Sequence, residues 1–179
     1  IDPASAPSEP LLGYANPDYV HDVAIVDGAL WTATSAGAQQ WTLADGEVQR
    51  FGYESSLISP RLRKVIECPL EGLGLVFGGD AGLEIHDPAS GEWAHLGVAS
   101  RGSDGLPFAE VSALACNVEA NLLAVGSPAG EIALYDVASG DWSEVDADDV
   151  EPLTTVRALA IDEAGAVLAA AGVTLSKIE

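Results

Sequence analysis

The sequence predicts an all-β fold in which four-stranded antiparallel sheets recur about four times, as the blades of a β-propeller do. Three observations support this prediction. Strand-like segments return at a period of about 45 residues, a short apolar run follows each of them, and large aromatic residues stand at a fixed distance before an acidic glycine turn. The two-residue alternation and the 19 glycines exclude a solenoid of paired helices.

The first two strands of each repeat are the easiest to place. The first strands are predicted at residues 21–26, 63–68, 111–116 and 156–161. A turn follows each one, and the second strands are predicted at the apolar runs 30–33, 73–77, 122–125 and 167–171. Near-continuous apolar strands indicate a sheet that is covered on both faces.

The third strand and the turn after it give the closest internal match. Third strands are predicted at residues 39–43, 83–86, 132–135 and 173–178. Trp41, His86 and Tyr135 occupy the same slot, five residues before the glycine of a Gly-acid turn, and Trp93 and Trp142 then begin the next strand. Asp can cap its own backbone in such a turn, and glycine supplies the positive φ. The shared slot predicts that His86 is a packed residue inside the sheet assembly.

The fourth strands leave one gap. Only three fall inside the chain, because the sequence stops just after the last third strand. We expect residues 10–14, within an N-terminal segment 1–20, to pair with residues 173–178 and close the ring, which removes two exposed sheet edges. The blades then occupy residues 21–179, as approximate repeats 21–62, 63–110, 111–155 and 156–179. The sequence leaves open a four-blade ring, an eight-blade ring of two chains, and a part of a longer propeller.

Three segments carry a family resemblance. They are Ser103-Asp104-Gly105-Leu106-Pro107, Asp27-Gly28-Ala29-Leu30-Trp31, and the run from Gly82 to Gly91 that contains Asp87-Pro88. The pattern resembles the repeats of the two-component-regulator propeller family, a relative of WD40-type and quinoprotein-like propellers. The resemblance covers residues 21–179 and implies a sensor-like binding module in an extracellular or periplasmic location. Only Trp31 keeps the aromatic residue of the family's second strand.

Composition limits the partners. The 7 basic and 28 acidic side chains give a net charge of −21, which disfavours nucleic acid and anionic membranes because both are bound through clustered Lys or Arg. The longest apolar runs are far shorter than the roughly 20 residues of a membrane-spanning helix. We therefore expect a protein partner or a small ligand, and the chain could also assemble with itself or belong to a larger complex.

Few residues suggest metal or covalent chemistry. No His or Cys spacing matches a zinc site, and the acidic run 146–151 lacks the spacing of a calcium loop, so no metal and no cofactor are expected. Cys68 and Cys116 stand near the ends of neighbouring first strands, where small buried hydrophobic residues are the favoured interpretation. A disulfide would need Cα atoms within about 7 Å, a distance that the sequence does not supply.

The connections between blades are the best candidates for binding, since loops on a rigid scaffold collect functional residues. Four of the five arginines lie on or next to these connections. The predicted binding residues are His21, Tyr53, Arg61, Arg63, Arg101, Asp104, Phe108 and Arg157, with Tyr14, Tyr19 and Phe51 nearby. The alternative is that the arginines only pair with neighbouring carboxylates.

The resulting functional hypothesis is a non-catalytic propeller that engages a partner protein or small ligand through its inter-blade loops. One alternative is a small propeller enzyme, a hydrolase or lyase that uses His, Tyr and Arg of the rim, because the fold alone does not exclude catalysis. Another is a structural subunit of an assembly, which an apolar patch away from the rim would favour.

Overall fold

The computed structural model describes residues 19–98, 105–145 and 154–178. These stretches form fifteen strands and one short 3-10 turn, Tyr53–Ser55. The strands are β1 Val20–Val26, β2 Ala29–Thr34, β3 Gly37–Thr42, β4 Val48–Phe51, β5 Leu62–Cys68, β6 Gly74–Gly79, β7 Gly82–His86, β8 Trp93–Leu96, β9 Ala113–Asn117, β10 Leu122–Gly126, β11 Ile132–Asp136, β12 Asp141–Glu144, β13 Val156–Ile161, β14 Val167–Ala171 and β15 Thr174–Ile178. Within the same stretches no helix is long and apolar enough to cross a membrane.

The strands form four antiparallel sheets of consecutive strands. Sheet 1 is β1-β2-β3-β4, sheet 2 is β5-β6-β7-β8, sheet 3 is β9-β10-β11-β12, and sheet 4 is β13-β14-β15. The predicted all-β class with about four antiparallel sheets is confirmed. The predicted closing strand, residues 10–14, lies outside the described residues.

The sheets pack face to face in chain order. The first strands lie side by side, β1 against β5, β5 against β9 and β9 against β13. One apolar cluster fills each of the three spaces between sheets, with Trp31 and Phe77 in the first, Leu83 and Leu114 in the second, and Ile132 in the third. The central strands are therefore buried on both faces, which explains their nearly continuous apolar sequence.

Strand β6 shows how the side chains divide between the two faces. Leu75 and Phe77 belong to the cluster against sheet 1, whereas Val76 between them belongs to the cluster against sheet 3. All three are fully buried. The alternation of the pleated strand thus lets one strand contribute to two cores at once.

The glycine turns are stabilised as the sequence predicts, by an Asp side chain that caps the backbone and a glycine with positive φ. In the turns after β7 and β11, the Asp87 and Asp136 carboxylates accept hydrogen bonds from the backbone N–H groups of Ala89 and Ala138, at 2.9 and 2.8 Å. Gly91 adopts a φ of 76°, which favours glycine. The hydrogen bonds that the Ser90 hydroxyl and the Ala89 N–H donate to Asp87 lower the pKa of its carboxyl group.

A disulfide joins sheets 2 and 3. Cys68 and Cys116 are bonded across a Cα–Cα distance of 5.6 Å, so the favoured interpretation of two unpaired buried cysteines is wrong. The reason lies in the packing, because β5 and β9 lie side by side and bring together residues 48 positions apart.

The next pair of sheets has a polar link at the equivalent place. Cys68 lies opposite Gly74, the first residue of β6, and Asn117 lies opposite Leu122, the first residue of β10. The Asn117 side-chain amide donates hydrogen bonds to the carbonyls of Ile161 and Asp162, at 3.3 and 2.9 Å. The last residue of each of these two first strands therefore holds the following first strand in place.

Aromatic rings fill the outer part of the space between sheets 1 and 2. His86 stacks on Trp93 with ring centroids 4.5 Å apart and lies 4.9 Å from Trp31, and Phe51 and Phe77 pack around them. The prediction that His86 is a packed residue is confirmed. Burial lowers the pKa of His86, and this effect exceeds the opposing influence of the Glu92 carbonyl and of the Asp87 charge.

We predict that the disulfide contributes substantially to stability. Its loop of 48 residues restricts the unfolded chain, and reduction should lower the free energy of unfolding by about 3–4 kcal/mol. Urea unfolding with and without a reductant measures the change. The Cys68→Ala/Cys116→Ala double variant is the control, since reductant should not alter it. An unchanged urea midpoint of the wild-type chain after complete reduction would contradict the prediction.

We also predict that His86 makes the fold less stable in acid. Its folded pKa lies below the value of 6.5 of an exposed histidine, so below that pH the unfolded chain binds more protons and the free energy of unfolding decreases. The His86→Phe variant keeps a ring in the cluster and should lose less stability between about pH 7.5 and pH 5 than the wild type does. The exposed His21→Gln variant is the control. Equal losses in all three proteins would refute the assignment.

Candidate functional site

Three of the four first strands begin with a β-bulge, and the extra residue is basic or an imidazole each time. The strand pairing shifts between Val20 and Asp22, between Leu62 and Lys64, and between Val156 and Ala158. The bulged residues are His21, Arg63 and Arg157. A bulge leaves its extra residue out of the regular pairing and redirects its side chain. All three residues were predicted from the sequence as binding residues.

Contacts between the sheets place the three bulges on one rim. The starts of neighbouring first strands are linked, since the Asp22 carboxylate accepts a 3.2 Å hydrogen bond from the Val65 N–H, and the Ser112 hydroxyl donates a 2.6 Å bond to the Val156 carbonyl. The other ends are linked by the disulfide described above. The first strands therefore run in the same direction. We call His21, Arg61, Arg63, Lys64 and Arg157 the basic rim.

A cleft of about 620 Å³ opens at this rim between sheets 1 and 2. It is lined by His21, Ser35, Arg61, Leu62, Arg63, Lys64 and Asp80. Three of the seven Lys and Arg residues of this acidic chain are thus gathered in one cleft. The geometry confirms none of them as a ligand contact, but it brings together three of the sequence candidates, His21, Arg61 and Arg63.

Carboxylates hold some of these cations more firmly than others. Arg63 lies 2.6 Å from Asp80 and 3.5 Å from Glu110, and Lys64 lies 3.8 Å from Asp22. Among the residues that the structure describes, Arg61 pairs with Asp80 alone, at 3.8 Å, and its side chain is 75% exposed. The ion pairs expected as the alternative to binding are therefore present, but the Arg61 guanidinium still presents most of its donors to solvent.

A buried carboxylate positions the segment that carries Arg61. Glu84 is the one carboxylate of β7 and is almost completely buried. One of its carboxylate oxygens accepts hydrogen bonds from the N–H groups of Ile58 and Ser59, both at 2.9 Å, and lies 3.1 Å from the His95 ring. The connection from sheet 1 to sheet 2 is therefore fixed just before Arg61.

The other predicted site residues lie elsewhere. Tyr53 is exposed on the 3-10 turn and does not line the cleft, and Tyr19 is exposed just before β1. Phe51 and Phe108 are buried in the apolar clusters and do not line the cleft. Tyr14, Arg101, Asp104 and the acidic run 146–151 lie outside the described residues.

Two residues that shape the site were not predicted from the sequence. Asp80 lies in the tight turn between β6 and β7, where its Gly-Gly-Asp-Ala-Gly context indicates only a hairpin. Glu84 carried a usable signal, since a single charge inside an apolar strand suggests a specific buried partner. Among the residues that the structure describes, no three His, Cys, Asp or Glu side chains come together as a metal site.

Comparisons with known proteins show the fold alone. No family model and no curated protein matches the sequence. The extracellular domains of the putative hybrid two component systems BT3049 and BT4673 from B. thetaiotaomicron are similar in structure, with TM-scores of 0.72 and 0.71 at 20% and 17% identity. The matches cover 89% of this chain in both cases but only 22% and 21% of those domains. This chain thus spans about a fifth of their length.

A designed protein of comparable size is also similar. The match to the computationally designed Ika4 protein covers 95% of this chain and 96% of the Ika4 chain, with a TM-score of 0.66 and 16% identity.

We predict that the cleft arginines are not part of the scaffold. Exposed ion pairs contribute little to folding, so Arg61→Gln and Arg63→Gln should each change the free energy of unfolding by less than about 1 kcal/mol. Ser112→Ala removes the hydrogen bond between sheets 3 and 4 and should cost about 1–2 kcal/mol. Urea unfolding of the three variants measures both effects. A loss for Arg63→Gln as large as that for Ser112→Ala would make Arg63 a scaffold residue.

Proposed function

We propose that this chain is a non-catalytic β-propeller binding module that works outside the cytoplasm and holds an anionic ligand at its basic rim. The observation that carries the proposal is the repetition of the bulge. In a chain with a net charge of −21, three equivalent bulges present His21, Arg63 and Arg157 at the same end of the first strands. A purely structural bulge would not require a basic residue at each of these places.

The propeller arrangement is supported by how the sheets pack. Each sheet is built from consecutive strands, the first strands lie side by side, and the faces stack in chain order. Links at both ends of the first strands keep them in the same direction. Stacked sheets whose innermost strands surround an axis are the defining arrangement of a propeller.

Two observations support a location outside the cytoplasm. The Cys68–Cys116 disulfide joins neighbouring sheets, and structural disulfides persist in oxidising compartments such as the periplasm and the cell exterior. Two of the similar structures are extracellular domains of putative two component systems. Because of this likeness, we also propose the sensor role that the sequence resemblance implies.

The chemistry of the rim favours a carboxylate or a similar oxyanion. A guanidinium offers paired donors that match the two oxygens of a carboxylate. The overall negative charge repels anions at a distance, but screening limits this repulsion to about 8 Å at physiological ionic strength. A locally basic cleft can therefore select an anion that the rest of the surface repels.

The same chemistry favours binding over catalysis. The charged groups of the cleft are already set against fixed carboxylates, with Arg63 held by Asp80 and Glu110. Both thiols of the chain are joined in the disulfide. Arg61 is then suited to recognition, because its exposed donors can exchange water for a ligand without breaking a close ion pair.

We predict that citrate binds at the basic rim and that the binding depends on its arginines. A titration followed by ¹⁵N–¹H NMR should show shifts around the cleft with citrate and none with glucose. Arg61→Gln and Arg63→Gln, which alter two arginines of the cleft, should each weaken citrate binding about tenfold, which equals about 1.4 kcal/mol. Arg50→Gln, on the outer strand β4, is the matched control and should bind as the wild type does.

Ionic strength gives a second measurement of the same prediction. Raising the salt from about 0.15 to 0.5 M should weaken citrate binding, because the distant repulsion is already screened at the lower concentration and the added salt weakens the attraction of the rim charges. Shifts that fall away from the cleft, or an affinity that is the same in the wild type and both rim variants, would reject the anion site.

A further inference from the structure

The array of sheets has two unpaired ends. Sheets 1 and 2, 2 and 3, and 3 and 4 meet through their first strands, whereas β13 and β1 do not pack against each other in this way. The outward face of sheet 1 and the outward face of sheet 4 therefore have no neighbouring sheet among the described residues. We call them the two end faces.

The end face of sheet 1 carries one half of the interface that the chain makes three times. Val23 lies opposite Thr32 in β2, as Val65 lies opposite Phe77 and Leu114 lies opposite Val125. Val65 and Leu114 are 3% and 7% exposed because each packs on the preceding sheet, whereas Val23 is 54% exposed. Val23 thus points to the place where a preceding sheet would lie.

The end face of sheet 4 carries the other half. Leu175 pairs with Ala170 as Leu83 pairs with Gly78 and Ile132 pairs with Gly126. Leu83 and Ile132 are 0% and 3% exposed because each packs on the following sheet, whereas Leu175 is 73% exposed. A following sheet of the same kind would cover it.

The strands of the two end sheets contain almost no acidic residues, unlike the chain as a whole. The chain has 28 acidic residues, yet among the strands of sheets 1 and 4 only Asp22 is acidic, and its carboxylate bonds to Val65 in sheet 2. The described strands of the two end sheets therefore place no carboxylate on the end faces. This matters for two chains that repel each other through a net charge of −21.

We propose that the end face of sheet 4 in one copy packs on the end face of sheet 1 in a second copy of this chain. The contact continues the interface already made three times within the chain, with Leu175 of one copy against the Val23 side of the other. Such head-to-tail contacts close into a ring when the rotation permits. Two copies then make two equal contacts and leave no end face exposed.

The test is the mass of the 179-residue chain in solution. Sedimentation velocity at about 50 µM in 0.15 M salt should give twice the chain mass of 18.4 kDa. Val23→Glu and Leu175→Glu should each give single chains, because each places a carboxylate in both contacts of the ring. Val118→Glu is the matched control, since Val118 is also 54% exposed but lies in a turn of sheet 3, and it should keep the double mass.

Mixing the two disrupting variants tests the head-to-tail geometry. A pair made of one Val23→Glu chain and one Leu175→Glu chain has one unaltered contact, so the mixture should recover part of the double mass. No recovery, or a double mass that survives either substitution, would overturn the proposal. A single-chain mass for the wild type would also overturn it, and a Val23→Glu variant that then loses stability would indicate closure within one chain. Because citrate binding and mass are separate measurements, this proposal and the anion site fail separately.

Discussion

A β-sheet with two apolar faces needs a neighbour on each side, and this requirement organises the whole chain. Burial of apolar area is the main favourable term in folding. Here the apolar side chains of a sheet lie on both of its faces, as the alternation in β6 shows. The sheets must therefore stack in series, and the chain achieves this by placing consecutive strands in one sheet before it moves to the next.

Stacking alone would allow neighbouring sheets to slide, and polar and covalent links prevent this. Asp22 and Ser112 connect the starts of first strands, while the disulfide and Asn117 connect the other ends. With both ends fixed, the bulges of different sheets come to the same rim. The proposed binding surface thus depends on the same register that holds the scaffold together, although we expect its arginines to contribute little to stability.

The sequence could predict the parts of the structure that repeat. Apolar runs, glycine turns and the slot shared by Trp41, His86 and Tyr135 are local patterns with a physical meaning, and they located the strands and the packed histidine. His21, Arg63 and Arg157 could be nominated from their places before or in the first strands. That each one is bulged could not be predicted, because a bulge arises from the pairing of two strands rather than from the composition of one.

Other features depend on distances that no local pattern contains. The bond between Cys68 and Cys116 follows from the side-by-side packing of β5 and β9, and the burial of Phe108 follows from how the connection folds back onto the core. Glu84 depends on such distances as well, because its carboxylate is held by two backbone N–H groups 25 and 26 residues earlier in the chain. Repetition therefore specifies the frame, while long-range contacts specify the site.

The position of the disulfide gives the chain an uneven resistance to local opening. The bond joins the two middle sheets, whereas sheets 1 and 4 are held by noncovalent contacts such as the Lys64–Asp22 ion pair and the hydrogen bonds of Asn117. We therefore expect partial unfolding to begin at an end sheet, while the crosslinked pair of sheets keeps its amide protons protected. Thermal fluctuations are then largest in sheets 1 and 4, whose end faces could still pack against another sheet.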